Sequence, residues 1–222
     1  MPDKQIIDKL IKLEWKMFSS VNEGGPKADC QEDPDTFYGM RYGQFSAWSD
    51  EAVNCYLADV EKATAEGRNL AMEKYIHMMK TTQPSQYDIL VKRCVYPSPE
   101  AVELAQKITD KLIAQTEVLH KEFPYVSGSG RPLYSTADFR GFISVETYQK
   151  GELFTYSLDT LKALWAHLCA LEAEGKSLAR NILENSVMHY GYKCLEDAEA
   201  AQRRYAESLP IEISYGCDKC GC

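Results

Sequence analysis

Apolar residues recur at helical spacing along almost the whole chain. Ile6, Ile7, Leu10, Ile11, Glu14, Met17 and Phe18 keep the i, i+3, i+4 rhythm of a helix with one buried face, and Ala101, Ala105, Ile108, Leu112 and Leu119 repeat it. Asp33 before Pro34 supplies an N-cap with proline at the first helical position, opening a segment through Phe37, Met40, Arg41, Gln44 and Phe45. Ser49 with Asp50 and Glu51, and Ser157 with Asp159, set an acceptor and negative charge at two further helix starts, while Gly67 and Gly175 supply stops. Ala52, Val53, Tyr56, Leu57 and Val60 define one buried face, and Leu158, Leu161, Leu164, Trp165 and Leu168 define a matching one.

The pattern occurs twice. AEGRNLA at 65–71 returns as AEGKSLA at 173–179, and Gly43-Gln44-Phe45 with Trp48-Ser49 returns as Gly151-Glu152-Leu153 with Tyr156-Ser157 at the same offset of 108 residues. Upstream the offset shrinks, with Val21-Asn22 and Gly25 answered by Val126-Ser127 and Gly130, and Asp8-Lys9-Leu10-Ile11 by Asp110-Lys111-Leu112-Ile113. Self-similarity in this order points to duplication of a unit of roughly 100 residues. The expectation is an all-α fold: two similar multi-helix halves packed about a pseudo-twofold axis in a single globular domain over 1–222. The repeats span 3–83 and 99–208. A connector at 84–98, with Pro84, Pro97 and Pro99 and no sustained helical period, separates them, and Ser98-Pro99-Glu100 restarts the helix. The tail, 209–222, is cysteine-rich, and Ile211 to Tyr215 alternate like a short strand or extended segment.

Composition narrows the function. The chain has 222 residues and a formal charge of −8, and such an acidic surface disfavours nucleic acid and anionic lipid. MPDKQIIDKL lacks the apolar core of a signal peptide and no apolar run approaches 18 residues, so the expected location is the cytoplasm. Eight cysteines are too dilute for a disulfide scaffold and read as thiols. Cys55 and Cys169 fall within apolar helical patterns and read as core residues.

The most site-like stretch runs from Asn22 to Trp48, dense in Gly, Cys, Gln, Asp and Arg. Its counterpart, which holds Arg131, keeps the glycines, the Gly-Glu-Leu block and the aromatic at Tyr156 but has nothing matching Cys30. Cys30 could act as a nucleophile if Arg41 and the helix N-terminus after Asp33 lower its pKa, although its loop holds no histidine to serve as base. The plainer alternative has Cys30 plugging the loop while Asn22, Gln31 and Asp33 satisfy turn backbone. Arg41 and Gln44 share a helix face, Glu152 takes the place of Gln44 in the second copy, and a pseudo-twofold axis would set them opposite one another. With Glu14 they could grip a carboxylate or amide group, or form a structural network joining the halves. Trp48 and Tyr156 read first as core aromatics. Glu117-x-x-His120 and Glu73-x-x-x-His77 are incomplete as metal elements.

Cys217, Cys220 and Cys222 form a Cys-x-x-Cys-x-Cys motif. Three thiolates so close could share a zinc ion or part of an iron–sulfur cluster, with a fourth ligand from Cys194, Cys30 or a second chain. They could equally serve as a redox-active arm or have no role.

Glu14-Trp15, Asn22-Glu23-Gly24-Gly25, Cys30-Gln31-x-Asp33, Thr36-Phe37, Met40-Arg41, Gln44-Phe45 and Trp48 carry a resemblance, continued by Gly130-Arg131-Pro132-Leu133, Glu146-Thr147-Tyr148, Gly151-Glu152-Leu153 and Thr155-Tyr156-Ser157. In these motifs the chain resembles a bacterial family known only as a domain of unknown function. The resemblance implies a single whole-chain module and no particular activity, and the cysteine tail lies outside its motifs. The expected function is binding, and potentially transformation, of a small polar molecule in a cleft between the halves. Glu14, Cys30 and Arg41 are the candidate catalytic groups there, and Asn22, Gln31, Gln44, Arg131, Glu152 and Tyr156 the candidate binding groups. The rivals are a metal- or redox-handling accessory protein acting through the tail, and a helical module that docks a protein partner or a second copy of itself.

Overall fold

Ten α-helices carry the apolar rhythm among the residues that the computed structural model describes, which are 2–21, 28–128, 130–139 and 142–209. In chain order they are α1 (Lys4–Ser19), α2 (Pro34–Ser46), α3 (Asp50–Ala65), α4 (Leu70–Thr82) and α5 (Pro84–Leu90), then α6 (Pro99–Glu122), α7 (Val145–Leu153), α8 (Leu158–Ala173), α9 (Leu178–His189) and α10 (Leu195–Ser208). No β-strand occurs among the described residues, only an isolated bridge between Phe139 and Phe142. The fold is all-α.

Helices begin where the sequence sets side-chain acceptors. Asp33 accepts from the Thr36 N–H ahead of α2, Ser49 from Ala52 ahead of α3, Ser98 from Ala101 ahead of α6 and Ser157 from Thr160 ahead of α8. Just beyond α3 and α8, Gly67 and Gly175 both adopt φ of 69°, the left-handed region that costs glycine little. The segment 84–98 differs from the expected aperiodic connector: it contains α5 and a 3-10 turn over Val91–Arg93. Seven helical residues are too few for a period to show in sequence. The extended segment expected at Ile211 to Tyr215 lies outside the described residues.

α1 packs on α2, α3 and α4, and α6 packs on α7, α8 and α9. The two sets then interlock, with α2 against α9, α4 against α7 and α3 against α8. Two glycines permit the crossings. A Cβ on Gly43 of α2 would stand 2.2 Å from the Ser186 Oγ of α9, and one on Gly151 of α7 would stand 2.7 Å from the Met78 Cγ of α4. One apolar core draws from both sets, including Ile7, Leu10, Phe45, Val53 and Val60 on one side and Ala105, Ile108, Leu161, Leu164 and Leu168 on the other. Each such Leu or Ile removed from water contributes about 1.5–3 kcal/mol. A smaller cluster of Leu119, Phe123, Val187, Leu195 and Ala198 fixes α10. There the Glu199 carboxylate also accepts the Tyr125 and Val126 backbone N–H groups.

Candidate functional site

The packing of α2 on α9 and of α4 on α7 brings charged groups into the interior. Glu14 follows Ile7, Leu10 and Ile11 on the buried face of α1, Arg41 and Gln44 stand one turn apart on α2, and Glu152 lies beside Gly151 on α7. Arg41 forks onto Glu14, Nε to Oε2 at 2.8 Å and Nη2 to Oε1 at 2.5 Å. Its Nη1 donates to Gln44 Oε1 at 2.7 Å and to Glu152 Oε1 at 2.8 Å. Glu152 Oε1 also accepts from Gln44 Nε2 at 3.3 Å and from the Tyr156 hydroxyl at 2.7 Å, while Oε2 takes Lys74 Nζ of α4 at 2.5 Å. The Tyr56 hydroxyl of α3 donates to Glu14 at 2.7 Å.

Two carboxylates therefore face two cations, each side chain only 11–12% exposed. Burial opposes the charge of Arg41, but Glu14 and Glu152 outweigh it and hold its pKa well above the ordinary value. Burial likewise opposes ionisation of Glu152, and Arg41 and Lys74 outweigh it, holding the acid well below the usual carboxylate range. Lys74 is raised because Glu152 and Tyr148 overcome its desolvation. Burial and then the adjoining carboxylates push the Tyr56 and Tyr156 phenols well above theirs. At neutral pH Arg41 and Lys74 stay cationic, Glu152 anionic and both phenols protonated. Such groups present fixed charge and hydrogen bonds, whereas an acid–base catalyst works best when its pKa lies near the operating pH.

Two cavities flank this network and share Gln44, Tyr148 and Glu152 as a common wall. The first, about 210 Å³, lies between α1, α2, α4 and α7, with Glu14, Arg41, Lys74 and Tyr56 on its polar side and Met17, Phe37, Met40 and Leu70 on its apolar side. The second, about 300 Å³, lies between α2, α6, α7 and α9, and Tyr156 and Trp48 stand in its wall.

Residues 4–200 match the family model described as a protein of unknown function, DUF4125. The chain belongs to this family. No curated protein and no solved structure matches it.

In this DUF4125 member the remaining candidates of the N-terminal loop stand apart from the network. Cys30 is exposed on the 3-10 turn Asp29–Gln31 and lines neither cavity. The Gln31 amide ties that turn to the end of α1, donating to the Phe18 and Val21 carbonyls at 3.0 and 2.9 Å. Arg131 is exposed, donates to the Ile143 carbonyl at 3.1 Å and stands 5.3 Å from the centre of the Tyr148 ring, from which Lys74 of the network stands 3.4 Å. Asn22, Cys217, Cys220 and Cys222 lie outside the described residues. Among the described residues no three His, Cys, Asp or Glu side chains gather as a metal site: Glu73 pairs with Arg68 and Glu117 with Lys121. The sequence pattern misses Lys74, and it sets Tyr56 on a buried face without showing its hydroxyl's role. Lys74 falls one turn after Leu70 and one before Met78, on the buried face of α4, and a lysine set into an apolar stripe was the signal to follow.

Proposed function

We propose that the protein binds a small polar molecule in the first cavity, its head group against Glu14, Arg41 and Lys74 and its apolar body against Met17, Phe37, Met40 and Leu70. The observation that carries this reading is a cavity opening directly onto a buried network whose charges balance. Because Glu14 already occupies the fork of Arg41, a free carboxylate would have to displace it, and any net charge would enter a low-dielectric site without a counter-ion. The ligand is therefore uncharged overall: a small amide, a polyol or a zwitterion. At about 210 Å³ the site takes something smaller than a drug-sized compound.

The paired design is read as a duplication. Support comes from the exchange of partners between helix sets, from Gly43 and Gly151 closing the corresponding crossings, and from Gly67 and Gly175 ending corresponding helices with the same φ. The two cavities lie at corresponding places in the two halves about the proposed axis. A cytoplasmic setting is favoured by five described cysteines that are all unpaired.

Thermal unfolding of the full chain against small amides, polyols, free amino acids, monocarboxylates and amines tests the reading, followed by titration calorimetry of any compound that stabilises. A ligand at 100 times its Kd adds about 2.7 kcal/mol. Saturable 1:1 binding of an uncharged or zwitterionic compound, lost in Ala71→Leu, is the expected result, since Ala71 lines this cavity. Binding that persists in a folded Ala71→Leu variant, or binding of net-charged compounds alone, overturns it.

A further inference from the structure

The second cavity is built at the positions that answer the first, with its chemistry changed. At the repeat offsets seen in the sequence, Glu14 is answered by Thr116, Arg41 by Gln149, Tyr56 by Leu164 and Lys74 by Ile182, and all eight residues line their respective cavities. Every cation of the first cavity is thus replaced by a neutral side chain. Among the described residues Glu152 is the one carboxylate in the second wall, and its oxygens already receive Arg41, Gln44, Tyr156 and Lys74. Among the described residues a charged guest would meet no free counter-ion there. The hydroxyls of Thr116 and Ser186 bond back to their own helices, at the Leu112 and Ile182 carbonyls, both at 2.8 Å. Gln149, half-buried, has no side-chain hydrogen bond among the described residues and stands in the wall beside the shared Glu152 and Tyr148.

Protein interiors close-pack and leave few voids larger than a water molecule. An apolar cavity of about 150 Å³ already admits benzene, and this one is about 300 Å³. We propose that the second cavity is a separate binding site for a small, uncharged, mainly apolar molecule, an aromatic or branched aliphatic compound with one hydrogen-bonding group directed to the Gln149 amide. Its apolar body packs among Trp48, Leu112, Leu164 and Ile182. This site goes beyond the function proposed for the first cavity and does not depend on it.

The experiment titrates benzyl alcohol into the full-length protein and follows the Trp48 indole N–H by NMR, with benzoate and benzylamine as charged comparators of similar shape. Saturable 1:1 binding that shifts Trp48, at least ten-fold tighter than either comparator, is expected. It is lost in Ala179→Leu, which fills this cavity, and kept in Ala71→Leu, which fills only the first. If Ala179→Leu does not fold, Thr116→Leu serves, because among the described residues the Thr116 hydroxyl bonds only within its own helix. No saturation at Trp48, equal affinity for a charged comparator, or binding retained in a folded cavity-filling variant overturns the proposal. Loss of benzyl alcohol binding in Ala71→Leu would also overturn it, because the guest would then sit in the first cavity.

Discussion

The Gln44 amide donates to the Glu152 carboxylate at 3.3 Å, joining the two residues that the Gly-Gln-Phe and Gly-Glu-Leu blocks set in the same register. Only one of these positions carries a charge, and among the described residues Arg41 and Lys74 are balanced by Glu14 and Glu152. Gln44→Glu would place a second carboxylate against Glu152 inside the protein and is expected to cost about 2 kcal/mol or more. Exchanging the pair, Gln44→Glu with Glu152→Gln, restores the charge count but leaves Lys74 without the carboxylate it now holds at 2.5 Å. Urea unfolding of the four proteins should show a favourable coupling of about 1 kcal/mol and incomplete recovery.

Arg41→Met removes the one group that, among the described residues, hydrogen-bonds to both carboxylates. Stripping one partner from a buried ion network costs about 3–5 kcal/mol, because the charges left behind remain out of water. Arg41→Lys keeps the charge but cannot reach Glu14, Gln44 and Glu152 together. The expected order of stability by urea unfolding is wild type, then Lys, then Met.

Much of this architecture was legible because it depends on local chemistry. Asp33-Pro34, Ser49, Ser98-Pro99 and Ser157 all cap helices in the structure, since a cap needs only one side-chain acceptor within three residues. The meeting of positions 44 and 152 was visible in the repeated blocks. Lys74 was not, because lysine is read by default as surface and only tertiary packing sets it beside Glu152. The sequence offers the Gln31 amide as a turn group or a binding group; that it caps the end of α1 is a contact between segments that no periodicity encodes. The short helix Pro84–Leu90 stayed hidden for want of length.

Gly43 should tolerate no side chain. A Cβ there would stand 2.2 Å from the Ser186 Oγ and 3.1 Å from the Ser186 Cα, so α2 and α9 would have to separate. Overpacking of this kind costs about 1–3 kcal/mol. Gly67→Ala, by contrast, meets nothing within 4 Å and is penalised only by its φ of 69°. Ser186→Gly should rescue Gly43→Ala in part and leave Gly67→Ala unchanged, as read by thermal unfolding.

Removal of residues 217–222 separates the cavity from the cysteine tail as the working part of the molecule. If the first cavity is the site, the shortened protein keeps its melting temperature and its ligand affinity within two-fold. Metal and inorganic sulfide measured on anaerobically purified protein, before and after changing Cys217, Cys220 and Cys222 to Ser, give the converse test. Near-stoichiometric metal lost with the three thiols would move the function to the tail.

His77 makes acid stability depend on one buried ring. Neither of its nitrogens has a hydrogen-bond partner among the described residues, and it lies against Phe154, Tyr87 and Tyr96. Burial, with a smaller contribution from Lys80, lowers its pKa from 6.5 to about 4. Above pH 6.5 the ring is neutral in both folded and unfolded chains and has no effect on the balance. Between pH 6.5 and about 4 the unfolded chain takes up a proton that the folded one refuses, so stability falls with falling pH. The full loss from this group is about 3 kcal/mol. Below about pH 4 both states are protonated and the loss from His77 stops growing. His77→Phe abolishes the difference, and an aromatic ring without unpartnered nitrogens suits the apolar surroundings. Urea unfolding from pH 7.5 to 4 should therefore show the variant at least as stable as wild type at the upper end, with its advantage widening steadily below pH 6.5. Parallel curves for the two proteins across that window would mean that the ring is hydrated or paired in solution.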